Sequence, residues 1–270
     1  MVPEPFRVVE TRRDTADTWT LGLEAASGAP RPRFGPGQFN MLYAFGVGEV
    51  PISISGDPTA SGPLEHTVRS VGAASAAICA AQPGEVLGVR GPYGSSWPLA
   101  LAEGRELVVV AGGIGLAPLR PAVLGALAES ERYERIVLLY GGRAPDQLLY
   151  MDQLERFAAD GLDVHVTVDS AGEDWDGHVG LVTTLFDEAR LEPERTVAML
   201  CGPEVMIRFA AQAMLDRGVD AGDIHISMER NMKCALTQCG RCVFGPTYVC
   251  REGPVMRYSD IDRFFSLREV

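Results

Sequence analysis

The chain has 270 residues, and at about 150 residues per domain that length suggests two domains. Apolar residues make up 46% and charged residues 22%, a globular composition that leaves no room for intrinsic disorder or a collagen-like helix. The 24 basic and 36 acidic residues give a net charge of −12, which argues against a nucleic-acid partner and against attachment to anionic lipid. The longest uncharged apolar stretch, 107–119, contains three glycines and falls short of the roughly 20 residues of a membrane span. Residues 1–13 lack the layout of a secretory signal, so no membrane insertion and a cytoplasmic location are expected.

The first hundred residues contain short β-rich runs at 7–10, 18–24, 38–43, 52–55, 65–71 and 86–90, separated by glycine or proline. One helix-like stretch, 73–81, interrupts them. Evenly spaced short strands predict an all-β antiparallel barrel, with its boundary near 98–105. Strand alternation puts Ser53 and Ser55 on one face, away from Ile52 and Ile54. Thr67 and Arg69 likewise share a face, where a cation can meet a phosphate. The proline-rich stretch 28–34 reads as a loop.

From residue 106 the pattern changes. Strands are expected at 107–111, 136–140, 164–168, 197–200 and 224–227, with helices at 119–129, 151–159, 181–189 and 204–217. Strand alternating with helix predicts a parallel sheet in an α/β nucleotide-binding domain.

Two glycine turns follow strands in this half. The first is Gly112-Gly113-Ile114-Gly115-Leu116-Ala117-Pro118 and the second is Cys201-Gly202-Pro203-Glu204-Val205-Met206. Glycine at a strand-to-helix junction lets backbone approach a pyrophosphate while the helix offers free N–H groups. Neither turn has the Gly-x-Gly-x-x-Gly spacing of the dinucleotide fingerprint. Two ordinary packing turns are the rival reading; at the carboxyl ends of parallel strands, both can face one crevice.

Four of the six cysteines fall within seventeen residues, as Cys234-x4-Cys239-x2-Cys242-x7-Cys250. In a cytosolic chain this clustering indicates metal or redox chemistry rather than disulfides. The first three repeat the Cys-x4-Cys-x2-Cys spacing of plant-type [2Fe–2S] loops, whereas zinc sites usually use two separated pairs; zinc remains the alternative. Gly240 and Gly245 supply backbone freedom for wrapping. The local charge is cationic, with Arg230, Lys233, Arg241 and Arg251 against Glu229, which suits an anionic thiolate cluster. Cys79 reads as a buried structural thiol.

The order of barrel, Gly91-Pro92-Tyr93-Gly94, the two glycine turns and a four-cysteine tail resembles the ferredoxin–NAD(P)+ reductase superfamily, over nearly the whole chain. Within it, 34–43 and 46–57 are most similar to the gamma subunits of cytoplasmic NAD(P)-linked nickel–iron hydrogenases. The seven-residue gap before Cys250 suits these and the flavin subunit of anaerobic sulfite reductase better than the dihydroorotate dehydrogenase form. The resemblance implies an FAD-binding barrel at 1–98, an NAD(P)-binding domain at 99–227 and a [2Fe–2S] module at 228–270. It implies FAD contacts at Pro51, Ile52, Ser53 and Ile54, and at Thr67, Val68 and Arg69, with Arg69 at the phosphates. Gly72 and Ser75 match the next turn, and Gly91, Pro92 and Gly94 the loop beneath the flavin. The nicotinamide nucleotide falls to Gly112, Gly113, Gly115, Ala117, Pro118, Cys201, Gly202, Pro203 and Met206, and the cluster to Cys234, Cys239, Cys242 and Cys250.

Three residues depart from the family pattern. Val50 stands where an arginine usually begins the flavin strand, Ala74 replaces a glycine, and the usual Cys-Gly-Ile-Gly-x-Cys reads Cys-Ala-Leu-Thr-Gln-Cys. Alanine and threonine avoid positive φ, so the cysteine loop must take another path or accept strain.

A nicotinamide exchanges two electrons as hydride and a [2Fe–2S] centre passes one, and a flavin can do both. The expected chain is therefore an electron conduit without a catalytic acid or nucleophile, partnered by an iron–sulfur subunit and the hydrogenase small and large subunits. The equivalent subunit of sulfite reductase or dihydroorotate dehydrogenase is the alternative. A cluster-binding structural or sensor subunit, motivated by Val50 and Ala74, is a reading of another class. Arg143, just after strand 136–140, can meet a 2′-phosphate; Arg143→Ala is then expected to weaken NADPH far more than NADH, and equal loss would remove the argument.

Overall fold

The computed structural model describes residues 2–265. Six strands come first: β1 (Glu4–Arg13), β2 (Thr18–Ala25), β3 (Phe39–Ala44), β4 (Gly48–Ser53), β5 (Leu64–Arg69) and β6 (Val86–Tyr93). All pair antiparallel, in the order β4-β3-β6-β1-β2-β5. An Ile54–His66 bridge and the Ser55 N–H to Glu65 carbonyl bond (3.0 Å) draw the two edges together. The sheet thus curls into the expected barrel around Phe6, Val8, Leu21, Leu23, Leu42 and Val68. Each such side chain contributes about 1.5–3 kcal/mol on leaving water. Helix α1 (Ala73–Ala80) adds Ile78 and Cys79 to this core.

The second half alternates as its periodicity predicts. It runs β7 (Glu106–Gly112), α2 (Leu116–Ala128), β8 (Arg135–Gly142), α3 (Met151–Ala159), β9 (Asp163–Val168), β10 (His178–Val179), α4 (Leu185–Ala189), β11 (Thr196–Cys201), α5 (Glu204–Asp216) and β12 (Ile224–Ser227). The helix expected over 181–189 is shorter, because 182–184 forms a tighter 3-10 turn. Every residue of β7 is buried. Leu107, Val109 and Ala111 pack with α2 and α3 on one side, while Val108 and Val110 pack with α4 and α5 on the other. A parallel strand covered on both faces reads as a continuous apolar run for this reason. Among the described residues no helix is long and apolar enough to cross a membrane.

After β12 the chain forms the cysteine loop, which includes the hairpin β13 (Val243–Phe244) and β14 (Thr247–Tyr248). It then returns as β15 (Val255–Arg257) and α6 (Tyr258–Phe265). β15 pairs antiparallel with β12, giving the sheet order β10-β9-β8-β7-β11-β12-β15. The span 228–270, expected as one module, therefore stands apart only in its first part. Tyr258, Ile261 and Phe265 of α6 share an apolar core with Val108 and Phe186; residues 266–270 of that span lie outside the described residues.

Candidate functional site

The strand order of the parallel sheet reverses between β7 and β11, the place where open α/β sheets hold ligands. Both glycine turns follow these two strands, and Ala111 lies in register with Cys201. A Cβ on Gly112 would lie 2.3 Å from the Met206 sulfur, one on Gly115 2.3 Å from the Cys201 carbonyl oxygen, and one on Gly202 3.0 Å from Gly112 Cα. Those three glycines let the turns pack against each other. Gly113, at φ +53°, has nothing within 4 Å of its Cβ position, so its backbone is open to a ligand at the amino end of α2.

A cleft of about 730 Å³ lies over these turns. Of the residues expected at the nucleotide, Gly112, Gly113, Gly115, Gly202, Pro203, Met206 and Arg143 line it, and Thr15, Asp17 and Arg69 close it from the barrel side. Ala117 and Pro118 do not reach it; both are buried in α2, where the Pro118 carbonyl accepts a bond from Trp97 Nε1 at 2.9 Å. Cys201 is buried beneath the turns, and burial pushes its thiol up to about 12, which keeps it neutral. Arg143 is exposed at the rim near Asp169. Glu229 also lines the cleft, its carboxyl raised by desolvation.

On the barrel, β4 lies at a sheet edge and every residue in it is half-buried; Ile52 packs on the barrel core, and alternation puts Pro51 and Ser53 on the opposite, partly uncovered face. Ile54 is buried in the barrel core. The Ser53 carbonyl accepts a bond from His66 Nδ1 at 3.0 Å, and His66 Nε2 lies 3.1 Å from Asn40 Nδ2. A carbonyl can only accept, so Nδ1 carries the proton and Nε2 accepts from Asn40. Burial lowers His66 to about 4, which keeps it in this neutral form. Asn40 Oδ1 is buried without a protein partner, beside Gly91, whose Cβ would lie 2.1 Å from it.

Thr67 and Arg69 share a face, as alternation predicted, and that face meets the nucleotide-binding domain. The Thr67 hydroxyl contacts Thr20 (2.8 Å), Ser55 (2.9 Å) and Tyr150 (2.5 Å); it is a link across the domains and is not free for a ligand. Val68 is a core residue. Arg69 Nε donates to Asp17 at 2.8 Å, and this bond holds the Asp17 carboxyl below its usual range. The Ser75 hydroxyl accepts the N–H groups of Val71 and Gly72, each at 3.0 Å. It shapes the turn, leaving helix-end N–H groups beside exposed Gly72 and Ala73. Ala74 lies inside α1 with ordinary helical backbone, so the glycine missing there has no conformational cost. Gly94 is obligatory for packing, since its Cβ would meet Pro254 Cδ at 2.5 Å.

In the cysteine loop, the strain alternative is the one realised. Ala235 and Thr237 take φ +57° and +60°, at about 1–2 kcal/mol each. Gly240 and Gly245 also have positive φ. The loop turns its N–H groups toward sulfur: Leu236 and Cys239 donate to Cys234 Sγ at 3.3 and 3.4 Å, and Thr237 to Cys250 Sγ at 3.4 Å. Backbone N–H groups, with that of Arg241 foremost, lower the Cys239 thiol to about 7. The stretch 236–239 therefore serves two of the four sulfurs, those of Cys234 and Cys250. Among the described residues no three Cys, His, Asp or Glu side chains come together as a group that could hold a metal ion. Cys242 and Cys250 belong to the same buried core as Phe39, Met41 and Phe244.

Sequence reasoning missed the loop's attachment to the barrel. Arg90 of β6 forms a bidentate pair with Glu49 and also reaches the Lys233 and Cys234 carbonyls. Ser95 binds Gly253 and Val255 at the loop's other end.

Residues 109–212 match the oxidoreductase NAD-binding domain family. Sulfhydrogenase 2 subunit gamma of Pyrococcus furiosus is 36% identical over 244 residues, covering 84% of each chain. A probable dihydroorotate dehydrogenase B electron transfer subunit from Methanothermobacter thermautotrophicus is 33% identical over 97% of this chain and 91% of its own. The chain belongs to the ferredoxin–NADP reductase-like family. As a member it is an NAD-binding oxidoreductase subunit of the diaphorase type. Its fold matches a chain of the NADH-dependent reduced ferredoxin–NADP oxidoreductase structure with a TM-score of 0.76 at 23% identity, covering 98% of this chain and 94% of that one.

Proposed function

We propose that this family member relays electrons within a larger complex, with FAD on the face of β4, NAD(P)(H) in the cleft and a [2Fe–2S] cluster on Cys234, Cys239, Cys242 and Cys250. The observation that carries the reading is a four-cysteine loop whose backbone N–H groups aim at the sulfurs of Cys234 and Cys250. The Cys234-x4-Cys239-x2-Cys242 spacing is that of a plant-type [2Fe–2S] loop, whereas zinc usually takes two separated pairs.

Bound flavin supplies the conversion between hydride and single-electron chemistry. Gly113 and the amino end of α2 hold the dinucleotide's pyrophosphate, and Arg143 stands at the ribose end. Pro51 and Ser53 seat the flavin ring, with Ile52 packed on the core behind them and the orphaned Asn40 Oδ1 beside Gly91 as one acceptor still to be satisfied. Arg69 and the turn at Gly72 face its phosphates, which compensates for Val50. The deep placement of Cys242 and Cys250 keeps water from that side of the cluster.

The partner we assign is a nickel–iron hydrogenase, supported by the gamma-subunit relative and by the spacing before Cys250. A dihydroorotate dehydrogenase is the second reading, favoured by the relative that spans 97% of this chain. Anaerobic purification from native extract tests both. Expected are flavin absorbance near about 450 nm that NADH or NADPH bleaches, two irons per FAD and nickel in a co-purifying subunit. A colourless protein, or zinc at the thiols, would overturn the relay; iron and flavin without nickel would favour the second partner.

A further inference from the structure

Arg90 is only 8% exposed and lies one residue before Gly91 of the flavin-side loop. Its Nε and Nη2 donate to the two carboxylate oxygens of Glu49 on β4, at 2.7 and 2.6 Å. Nη1 crosses to the Cys234 carbonyl and Nη2 to the Lys233 carbonyl, both at 3.2 Å. All three guanidinium nitrogens are therefore committed, in a planar fork that only arginine provides. The two carbonyls come immediately before Ala235, where the backbone enters the left-handed region. Residues 143 and 144 positions apart are thus fixed to each other, and the link joins the strand leading into Gly91 to the first cysteine of the loop.

We propose that Arg90 is a positioning residue: through Lys233 and Cys234 it fixes the cysteine loop against the Gly91–Gly94 end of β6, and so sets the geometry for single-electron passage between flavin and cluster. The inference rests on the relay reading above. Glu49 largely neutralises the guanidinium, so the effect is geometric more than electrostatic. Two electrons entering as hydride leave one at a time through the cluster to a one-electron acceptor, and only this second stage depends on the brace.

Stopped-flow mixing of the holoprotein with NADH separates the two stages, as flavin bleaching followed by cluster reduction. In Arg90→Met the first phase should stay within about twofold while the second slows by about tenfold, because the loop is no longer held in position against β6. The EPR line of the dithionite-reduced cluster should broaden at unchanged iron content. Arg90→Lys keeps the charge and loses the fork, so it should not restore the second phase. In iron-free protein, amide exchange across 235–239 should accelerate in Arg90→Met. If Arg90→Met sheds its iron, Glu49→Gln, which keeps the guanidinium, gives the kinetic answer by the same slowing. An unchanged second phase, equal slowing of both phases, full recovery in Arg90→Lys or unchanged exchange would each overturn the proposal. Wild-type protein that binds no iron at all would sink the cluster reading itself, while the exchange measurement would still report on the brace.

Discussion

At the cleft, Gly112, Gly115 and Gly202 occupy positions where a Cβ would strike the Met206 sulfur, the Cys201 carbonyl or the Gly112 backbone. In the cysteine loop, Ala235 and Thr237 adopt the left-handed conformation with their side chains in place. One region removes its steric conflict by residue choice and the other retains it. Retained strain of about 1–3 kcal/mol per residue persists only where surroundings over-determine the backbone. Here those surroundings are the N–H groups aimed at Cys234 and Cys250, the brace from Arg90 and the apolar core under Cys242. The cleft avoids strain by residue choice, whereas the loop keeps a strained shape that bonds to sulfur, the Arg90 brace and the core beneath it hold in place.

The largest test of that contrast removes a sulfur. Cys242→Ser should abolish the reduced-cluster EPR signal and free the loop, because metal binding free energy is also folding free energy. Flavin bleaching by NADH should persist, since the cleft does not depend on the loop's ligand. Loss of bleaching together with the cluster would show that the two regions are not energetically separate.

The barrel edge offers an intermediate case, in which a buried polar group is held by partners. His66 falls to about 4 in the folded chain against about 6.5 unfolded. Its folded value is depressed, so the unfolded chain takes up the proton first, and stability is lost as pH falls from about 6.5 toward 4. The full loss is roughly 3 kcal/mol. His66→Leu should lower stability at neutral pH, because Asn40 and the Ser53 carbonyl lose their partner, yet flatten the acid slope of Tm. An unaltered slope would place the acid sensitivity elsewhere.

Gly115→Ala addresses the relaxed region directly. With a backbone carbonyl 2.3 Å from the new methyl, one turn must shift, at about 1–3 kcal/mol, and dinucleotide affinity should fall while the cluster signal stays. Wild-type melting and affinity would mean the turns have slack that their glycines do not suggest.

Much of this contrast was legible in the sequence. Apolar runs bounded by glycine located β7 and β11, and the two turns followed directly. The substitutions in Cys-Ala-Leu-Thr-Gln-Cys posed the strain question that Ala235 and Thr237 answer. What sequence could not carry was contact between distant segments. Arg90 looks like any strand arginine until Glu49, Lys233 and Cys234 surround it, and Thr67 reads as a ligand contact until Tyr150 arrives 83 positions later. β15 is too short for a periodic signal, so the return of the chain to the sheet was invisible. Family matching placed Ala117 and Pro118 at the nucleotide, whereas helix geometry turns both into the core.

The smallest test measures the strain itself. Replacing Thr237 with glycine relieves about 1–2 kcal/mol of left-handed strain and gives back roughly 0.5–1 kcal/mol through the freer unfolded chain. The lost hydroxyl bond runs only to the neighbouring Leu236 carbonyl, so a net gain approaching 1 kcal/mol is expected, about 2–4 °C in the Tm of iron-free protein. Ala235 is 4% exposed and packed in the core shared with Cys242, so Ala235→Gly also gives up the burial of a methyl worth about 0.8 kcal/mol and should come out near neutral. The ordering matters more than either value. Thr237→Gly more stable than Ala235→Gly identifies backbone strain opposed by packing at one position alone, whereas a fall in Tm for Thr237→Gly would show that the loop's left-handed turn is held without strain and that the contrast with the cleft is not one of stored energy.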